Sequence, residues 1–519
     1  MNLAQLLTPY LIPAEEDNLA AGRFDSELSN LDIQGLVTDN RDVNPGDCFI
    51  ALAGITHHGK AFIADAIAKG ASAVLLEVDA DAELNGSITY SSSIPVIAVR
   101  NLKALLNKIL IDFYQLSSHA FNMRLMAVTG TNGKSSITRF AAQMSHALQQ
   151  PSGLMGTLGF GVWPNIVESK NTTPELAVLL RQFALMKTQG AEQVAMEVSS
   201  HGIEQKRIEG LTFETAVFAN LSQDHLDYHG DMENYFAIKR QLFLSSELHY
   251  AIINADDEYG QRLLVDEAIS AKKISYGFSA TADVRVVSWS INGASIDASI
   301  TTPWGDASFT INMVGDFNLA NVLAAISMLA VENKFSFAAI IESINRITPA
   351  PGRMQAYSKA GCASAVVDFA HTPDALKNVL VTLKKQTSGT LAVVFGCGGN
   401  RDADKRPKMA SIAQGLADRL IFTADNPRKE NSATIIENMR AGLDRSDNTP
   451  LDVELDRAKA IELALSKLES HDLLLIAGKG HEEYQDVDGL KIPYSDEGVL
   501  LALGYHDIAS QTDTVKEVL

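Results

Sequence analysis

Apolar residues along this chain fall into short runs separated by polar, glycine-bearing loops, and that spacing predicts alternating strands and helices. In the first stretch the runs Cys48 to Leu52, Ala73 to Val78 and Pro95 to Val99 read as buried strands. Between the first two, Ala61 to Lys69 has helical spacing, with Gly70 placed to end the helix. From Met123 a second pattern begins: a strand over Leu125 to Val128, a glycine loop, then a helix over Ile137 to Leu148. Strands follow at Gln193 to Met196, Thr215 to Phe218 and Ala251 to Asn254. Between Asp283 and Met313 the period changes to strict alternation, through Val284, Val286, Ile296, Ala298 and Ile300. Asn292-Gly293 and Gly305-Asp306 are hairpin-turn signals there, so an antiparallel ribbon is expected beside a parallel core. A third pattern starts near Pro349-Ala350-Pro351-Gly352, where three strands each end in a polar or glycine loop: Ala365 to Asp368, Leu391 to Gly396 and Leu473 to Gly478. The expected fold class is α/β with three domains, 1–123, 124–348 and 349–519, the last Rossmann-like. Ligands of open α/β sheets bind at the carboxyl ends of the strands, so the loops after these runs are where chemistry is expected.

Composition narrows this picture. A chain of 519 residues, at roughly 150 per domain, predicts three or four domains. No run approaches the roughly 18 apolar residues of a membrane span. Met1-Asn2-Leu3-Ala4 lacks the basic start of a signal peptide, so a cytoplasmic protein without membrane insertion is expected. Three distant cysteines, Cys48, Cys362 and Cys397, argue against a disulfide framework or a cysteine zinc site. The balance of 43 basic against 63 acidic residues, −20 overall, repels nucleic acid. Anionic substrates then require arginines and lysines at particular loops.

Gly130-Thr131-Asn132-Gly133-Lys134-Ser135-Ser136 lies between a strand and a helix, as a shortened P-loop. Its glycines let backbone N–H groups approach phosphate oxygens, and Lys134 is placed to neutralise phosphate charge. The Ser135 hydroxyl is placed to join a Mg²⁺ shell. Glu197 ends the strand Gln193 to Met196, and His225 sits in Asn220-Leu221-Ser222-Gln223-Asp224-His225. Carboxylate and imidazole at strand ends suit a metal on nucleotide phosphates. Taken alone, Glu197 also reads as a helix N-terminal acid and His225 as a solvated turn residue, and both readings stay open.

Six motifs, in order, resemble the Mur ligases over essentially the whole chain: Gly130 to Lys134, Glu197 to His201, Asp224 to His229, Gly352-Arg353-Met354, Asp368 to Asp374 and Gly478 to Glu482. The resemblance implies an ATP- and Mg²⁺-dependent ligase that activates the carboxylate of UDP-N-acetylmuramoyl-L-alanyl-D-glutamate as an acyl phosphate. An amine of a diamino acid then attacks it. Lys134, Glu197, His225, Lys239, Arg353 and Asp368 are the implied catalytic set, with Glu197, His225, Ser135 and a carbamylated Lys239 toward the metal. Apart from the resemblance, Lys239 reads as an exposed helix lysine. Asn318 and Asn321 match a linker motif near ATP, and Arg353 and Asp368 approach ATP on domain closure, or else form an interdomain ion pair.

The UDP end is expected on the first domain at Asn40 and His58, which replace the family's usual serine and acid. Asn171, Thr172, Thr173, Ser199, Gln205 and Arg207 match positions that hold the muramoyl-dipeptide. Asp425-Asn426-Pro427-Arg428 accompanies meso-diaminopimelate in the family, and Arg428 with Arg401 is suited to the extra carboxylate that lysine lacks, Glu482 to the distal ammonium, and Gly478 to close backbone approach. The bland alternative is a turn with a surface arginine. Cys397 reads as packing. L-lysine as substrate, a folylpolyglutamate-synthetase-like ligase, a non-catalytic nucleotide binder and a P-loop GTPase are the rival readings. The expected working form is a monomer with a mobile third domain.

Overall fold

The protein is described by a computed structural model covering residues 2–11, 28, 30–54, 58–79, 85–114, 123–169, 171–222, 224–292, 295–313 and 315–508. Met1, Gln223 and Gly293 of the sequence reading lie outside the described residues. Three sheets follow one another along the chain.

The first sheet runs, in spatial order, Gly35–Val37, Asp47–Ala51, Ala73–Val78, Ile94–Arg100, Ile88–Ser91, parallel except for its last strand. The helical stretch at 61–69 divides into a 3₁₀ turn, Gly59–Phe62, and a helix, Ile63–Ala68. His58 caps the turn by accepting the Lys60 N–H, and Gly70 ends the unit at φ +100°. This sheet is tied to the second by the buried Asp47, which pairs with Arg181 at 2.8 Å.

The second sheet has ten strands, in the order Gly305–Ile311, Ser295–Thr302, Val284–Asn292, Lys272–Gly277, Tyr250–Asn254, Thr215–Phe218, Arg124–Thr129, Gln193–Glu197, Ser152–Gly156, Gly159–Val162. Its middle is parallel and both ends are antiparallel. The ribbon is present, but its second turn is not Gly305-Asp306: Thr302 pairs with Gly305, leaving Pro303-Trp304 as the loop. Proline, without an N–H, fits outside the ladder, and Gly305 at φ +135° takes up the twist where the strand resumes. Helix Lys134–Ala147 starts three residues before the expected Ile137. Its first turn is polar because it faces a cavity, so apolar periodicity does not register it. Helix Asp316–Ala330 is buried nearly all round and packs on it.

The third sheet runs Leu451–Val453, Arg419–Phe422, Leu391–Phe395, Leu473–Ala477, Ser364–Asp368, Gln355–Ser358, His506–Asp507, parallel over the first five. A separate hairpin, Tyr484–Val487 with Leu490–Pro493, lies over the 425–428 loop through an Arg428–Val487 bridge. The connection between second and third sheets is anchored to the helix that follows the glycine loop. Gln143 both donates to the Thr348 hydroxyl and accepts the Thr348 N–H. Arg139 reaches the same threonine while its guanidinium lies 4.6 Å over the Trp163 ring. No helix among the described residues is long and apolar enough to cross a membrane.

Arg457 and Asp496 form a fully buried pair, with Nε–Oδ1 and Nη2–Oδ2 both 2.8 Å. Arg457 also donates to the Ala477 carbonyl at 3.0 Å, fixing the strand end before Gly478. Removing one partner leaves a buried charge unmatched. Asp496→Ala is therefore expected to destabilise the third unit by about 3–5 kcal/mol in urea unfolding; a loss below about 1 kcal/mol contradicts this role for the pair.

Candidate active site

The glycine loop forms one wall of a cavity of about 660 Å³ between the second and third sheets. Gly130 (φ +151°) and Gly133 (φ +87°) hold conformations that favour glycine. A Cβ at Gly133 would stand 2.7 Å from Asn321 Oδ1, so the glycine also lets Asn321 approach. Asn220 braces the loop from beneath, accepting the Asn132 N–H at 2.9 Å and donating to the Asn132 carbonyl at 3.1 Å. No side chain caps the helix that starts at Lys134, so its first amides stay free to meet an anion. Thr131, Asn132, Lys134, Ser135 and Ser136 all line the cavity, as do Asn318 and Asn321. Lys134 Nζ folds back onto the carbonyls of Gly130 and Thr131, 2.9 Å each. Burial pulls its pKa down, against the opposing pull of Glu197 and Asp224.

Glu197 is buried on the same wall. Its two oxygens accept the Thr157 N–H (2.8 Å) and the Thr157 hydroxyl (3.2 Å), and Thr157 in turn meets the Thr172 hydroxyl at 2.9 Å. His225 lines the cavity at φ +53°, half exposed, 3.4 Å from Asp224. Among the described residues no three His, Cys, Asp or Glu side chains gather as a metal set. One carboxylate, one imidazole and the Ser135 hydroxyl make an incomplete shell, one suited to a hard cation that brings phosphate oxygens with it.

Lys239 is not the exposed lysine of the alternative reading. It is buried beneath the loop, donating to Gly130 O at 3.1 Å, with its Nζ 4.8 Å from the centre of the Tyr235 ring. Burial first, and then Lys134, push its pKa well below the ordinary lysine value.

From Glu197 a polar wall continues outward. The Thr173 hydroxyl donates to the Glu197 carbonyl (2.9 Å) and accepts the Ser199 N–H (3.0 Å). Arg207 donates to the Thr173 carbonyl at 2.7 Å and to Gln205 at 2.6 Å. Asn171 lies at the exposed edge, bonded through its backbone to Ser169. Asn40 and His58 stay on the first sheet, outside the cavity walls; Asn40 donates to Asp65 at 2.7 Å.

The facing wall belongs to the third sheet. Arg353 and Asp368 already share the cavity with Lys134, and neither is in an interdomain ion pair among the described residues. Buried Asp368 accepts the N–H groups of Met354 and Ala370, 2.8 Å each, while the Arg353 guanidinium lies 4.8 Å over Phe369. Burial raises the Asp368 pKa, opposed by Arg353. Phe317, Phe369, His371 and Thr382 also line it; Phe317 falls within the linker motif of Asn318 and Asn321, whereas no motif in the sequence marks Thr382.

The second cluster sits at the ends of the strands Arg419–Phe422 and Leu473–Ala477. Asn426 donates to Glu482 at 2.8 Å, and the fully buried Lys479 reaches Glu482 (2.8 Å), Asn426 (3.1 Å) and Asp425 (3.7 Å). Gly478 turns there at φ +114°. Arg428, after Pro427, donates to Gly399 O at 2.8 Å, and exposed Arg401 flanks the same glycines. Cys397 packs against Met409 at 3.9 Å, its thiol pushed up by burial to about 12, which fits packing and not nucleophilic chemistry. Arg428 and Glu482 do not line the nucleotide cavity.

Three family models match the chain: "Mur ligase family, catalytic domain" over 32–114, "Mur ligase middle domain" over 128–329 and "Mur ligase, glutamate ligase domain" over 352–480. A UDP-N-acetylmuramoyl-L-alanyl-D-glutamate–2,6-diaminopimelate ligase from Coxiella burnetii is 40% identical over 469 residues, 89% of this chain and 94% of that protein. One of the same name from Pseudomonas aeruginosa is 41% identical over 474 residues, 91% of this chain and 95% of that one. A solved structure of a ligase with that name superposes with a TM-score of 0.64 at 33% identity, covering 92% of this chain and 95% of that one.

Strand Ser152–Gly156 keeps glycine beside Glu197 for a steric reason: a Cβ at Gly156 would stand 2.1 Å from Glu197 Oε1. Gly156→Ala is therefore expected to displace that carboxylate and lower nucleotide turnover by roughly 100-fold with the fold retained. Turnover unchanged in a folded variant contradicts the placement.

Proposed function

Because the chain belongs to the Mur ligase family, we propose that it is an ATP-dependent amide ligase that joins meso-2,6-diaminopimelate to UDP-N-acetylmuramoyl-L-alanyl-D-glutamate in peptidoglycan precursor synthesis. The observation that carries the reading is the shared cavity: a phosphate-binding loop on one wall, Arg353 and Asp368 on the other, and the Thr173–Ser199–Arg207 wall leading away from Glu197.

A carboxylate does not react with an amine in water, because oxide is a poor leaving group. Transfer of the ATP γ-phosphoryl group to the substrate carboxylate converts that oxygen into a phosphate leaving group. The amine attacks, and the tetrahedral intermediate expels phosphate. The protein's part is to position three anions and neutralise their charge. The free amides of residues 134–136 and the Lys134 ammonium take the phosphates, and Arg353 faces them. Mg²⁺ fits the Ser135, Glu197 and His225 donors once phosphate oxygens complete the shell, and it would supply further charge neutralisation. Thr157 holds the Glu197 carboxylate in place on the cavity wall. Burial favours the uncharged form of Lys239, the form of amine that adds CO₂; the product is a carbamate anion and a released proton.

Arg207 with Ser199, Thr173, Thr172, Gln205 and Asn171 receives the muramoyl-dipeptide, and Asn40 and His58 face its UDP end. Asp425, Asn426, Pro427, Gly478 and Glu482, with Arg428 and Arg401, receive the diamino acid. The units 1–123, 124–348 and 349–519 thus take UDP-sugar, ATP and amino acid respectively. One chain supplies every group the reaction needs, so the proposed working form is a monomer, in the cytoplasm where ATP and UDP-sugars are found.

The test is ATP-dependent phosphate release with the UDP-dipeptide and Mg²⁺, run with meso-diaminopimelate and with L-lysine. Turnover with diaminopimelate alone is expected. Arg428→Ala is expected to raise the KM for diaminopimelate roughly 10- to 100-fold, the loss of one charge-assisted contact. Equal turnover with lysine contradicts the amino-acid assignment.

A further inference from the structure

Lys479 is a cation buried among the acidic groups assigned to the amino acid. Its side chain is fully buried, and its Nζ lies 2.8 Å from Glu482 Oε2, 3.1 Å from Asn426 Oδ1 and 3.7 Å from Asp425 Oδ1. Glu482 Oε2 also accepts the Asn426 amide at 2.8 Å, so that oxygen is already engaged. Asp425 Oδ1, by contrast, is buried and accepts no hydrogen bond. The subsite therefore has an acceptor waiting for a donor, beside a carboxylate that Lys479 has fixed in place.

Among the described residues, the charged side chains named at this subsite balance: Arg401, Arg428 and Lys479 are three positive charges, and Asp425, Glu482 and Asp486 three negative ones, with Asp486 3.8 Å from Arg428, and the Arg406–Glu430 pair on the same glycine loop is neutral as a unit. The Arg457–Asp496 pair behind them is neutral as a unit. The distal head of diaminopimelate is a zwitterion of zero net charge. The distal end of lysine is a lone ammonium. An electrically balanced subsite suits the first, and a subsite with one excess negative charge suits the second.

We propose that Lys479 is a specificity-determining positioning residue that fixes Glu482 and balances the Asp425–Glu482 charge, so that the subsite takes a zwitterionic amino-acid head in preference to a lone ammonium. This rests on the ligase reading above. Its consequence is a change in discrimination, which a merely structural lysine does not produce.

The experiment compares kcat/KM for meso-diaminopimelate and L-lysine in the wild type, Lys479→Met and the double variant Lys479→Met/Glu482→Gln, with the KM for ATP and the Tm recorded for each. In Lys479→Met the ratio of the two kcat/KM values is expected to fall at least roughly tenfold in diaminopimelate's disfavour, with the KM for ATP unchanged. In the double variant the excess negative charge is gone, and the ratio is expected to return toward the wild-type value even where absolute rates are lower. Equal losses for both amino acids with a lowered Tm overturn the proposal. Should the single variant fail to fold, the double variant decides: a ratio near wild type supports the proposal, and a collapsed ratio overturns it. An active wild type whose ratio Lys479→Met leaves unmoved overturns this inference alone, whereas a wild type inactive with diaminopimelate overturns the ligase reading and this inference together.

Discussion

One carbonyl oxygen holds the catalytic cavity together. Gly130 O accepts from Lys134 Nζ at 2.9 Å and from Lys239 Nζ at 3.1 Å, so two lysine amines converge on a single buried acceptor. Two full ammonium charges at that spacing repel each other strongly away from water. Burial penalises the charge on each; for Lys239 Asp224 alone acts against it, whereas for Lys134 Glu197 and Asp224 act against burial and the smaller push of Arg353. Lys134 therefore holds its charge better and faces phosphate, whereas Lys239, under the loop, gives up its charge more readily. This division requires glycine at position 130, where a Cβ would stand 2.9 Å from Ala219 Cβ.

The rest of the fold serves to deliver groups to that point. The parallel strands Arg124–Thr129, Gln193–Glu197 and Thr215–Phe218 end side by side, which brings the glycine loop, Glu197 and Asn220 to one edge. Threonine hydroxyls and asparagine amides then connect them. The third sheet presents Arg353 and Asp368 from the opposite side, through a connection pinned to the loop's own helix at Thr348. Nucleotide binding and the seating of the third unit thus share one helix, Lys134–Ala147.

Much of this was legible in the sequence because buried parallel strands are continuous apolar runs and the glycine loop has few other uses. Ser152–Gly156 and Gly159–Val162 were not legible: glycine and serine weaken the strand signal, and the glycines are there to admit Glu197 and neighbouring backbone. Thr157 carries no signal of its own, since a threonine after a glycine strand has no fixed meaning. Lys239 did carry one. In helix Met232–Arg240 it shares the buried face with Tyr235 and Phe236, and a lysine on an apolar face is a lysine out of water. Lys479 lies inside a motif noted for its glycines and its glutamate; its burial depends on the packing of the 425–426 loop against it, which no local pattern records. The charge balance it completes is likewise a property of the assembled loops.

The central claim is that burial beneath the loop favours the uncharged, CO₂-reactive form of Lys239, and its most direct measurement is ¹³C NMR of the protein equilibrated with ¹³C-bicarbonate, with Lys239→Arg as reference. The account predicts a carbamate resonance that is present at neutral pH and missing from the variant. No such resonance, together with an Nζ that titrates near the ordinary lysine value, would contradict it.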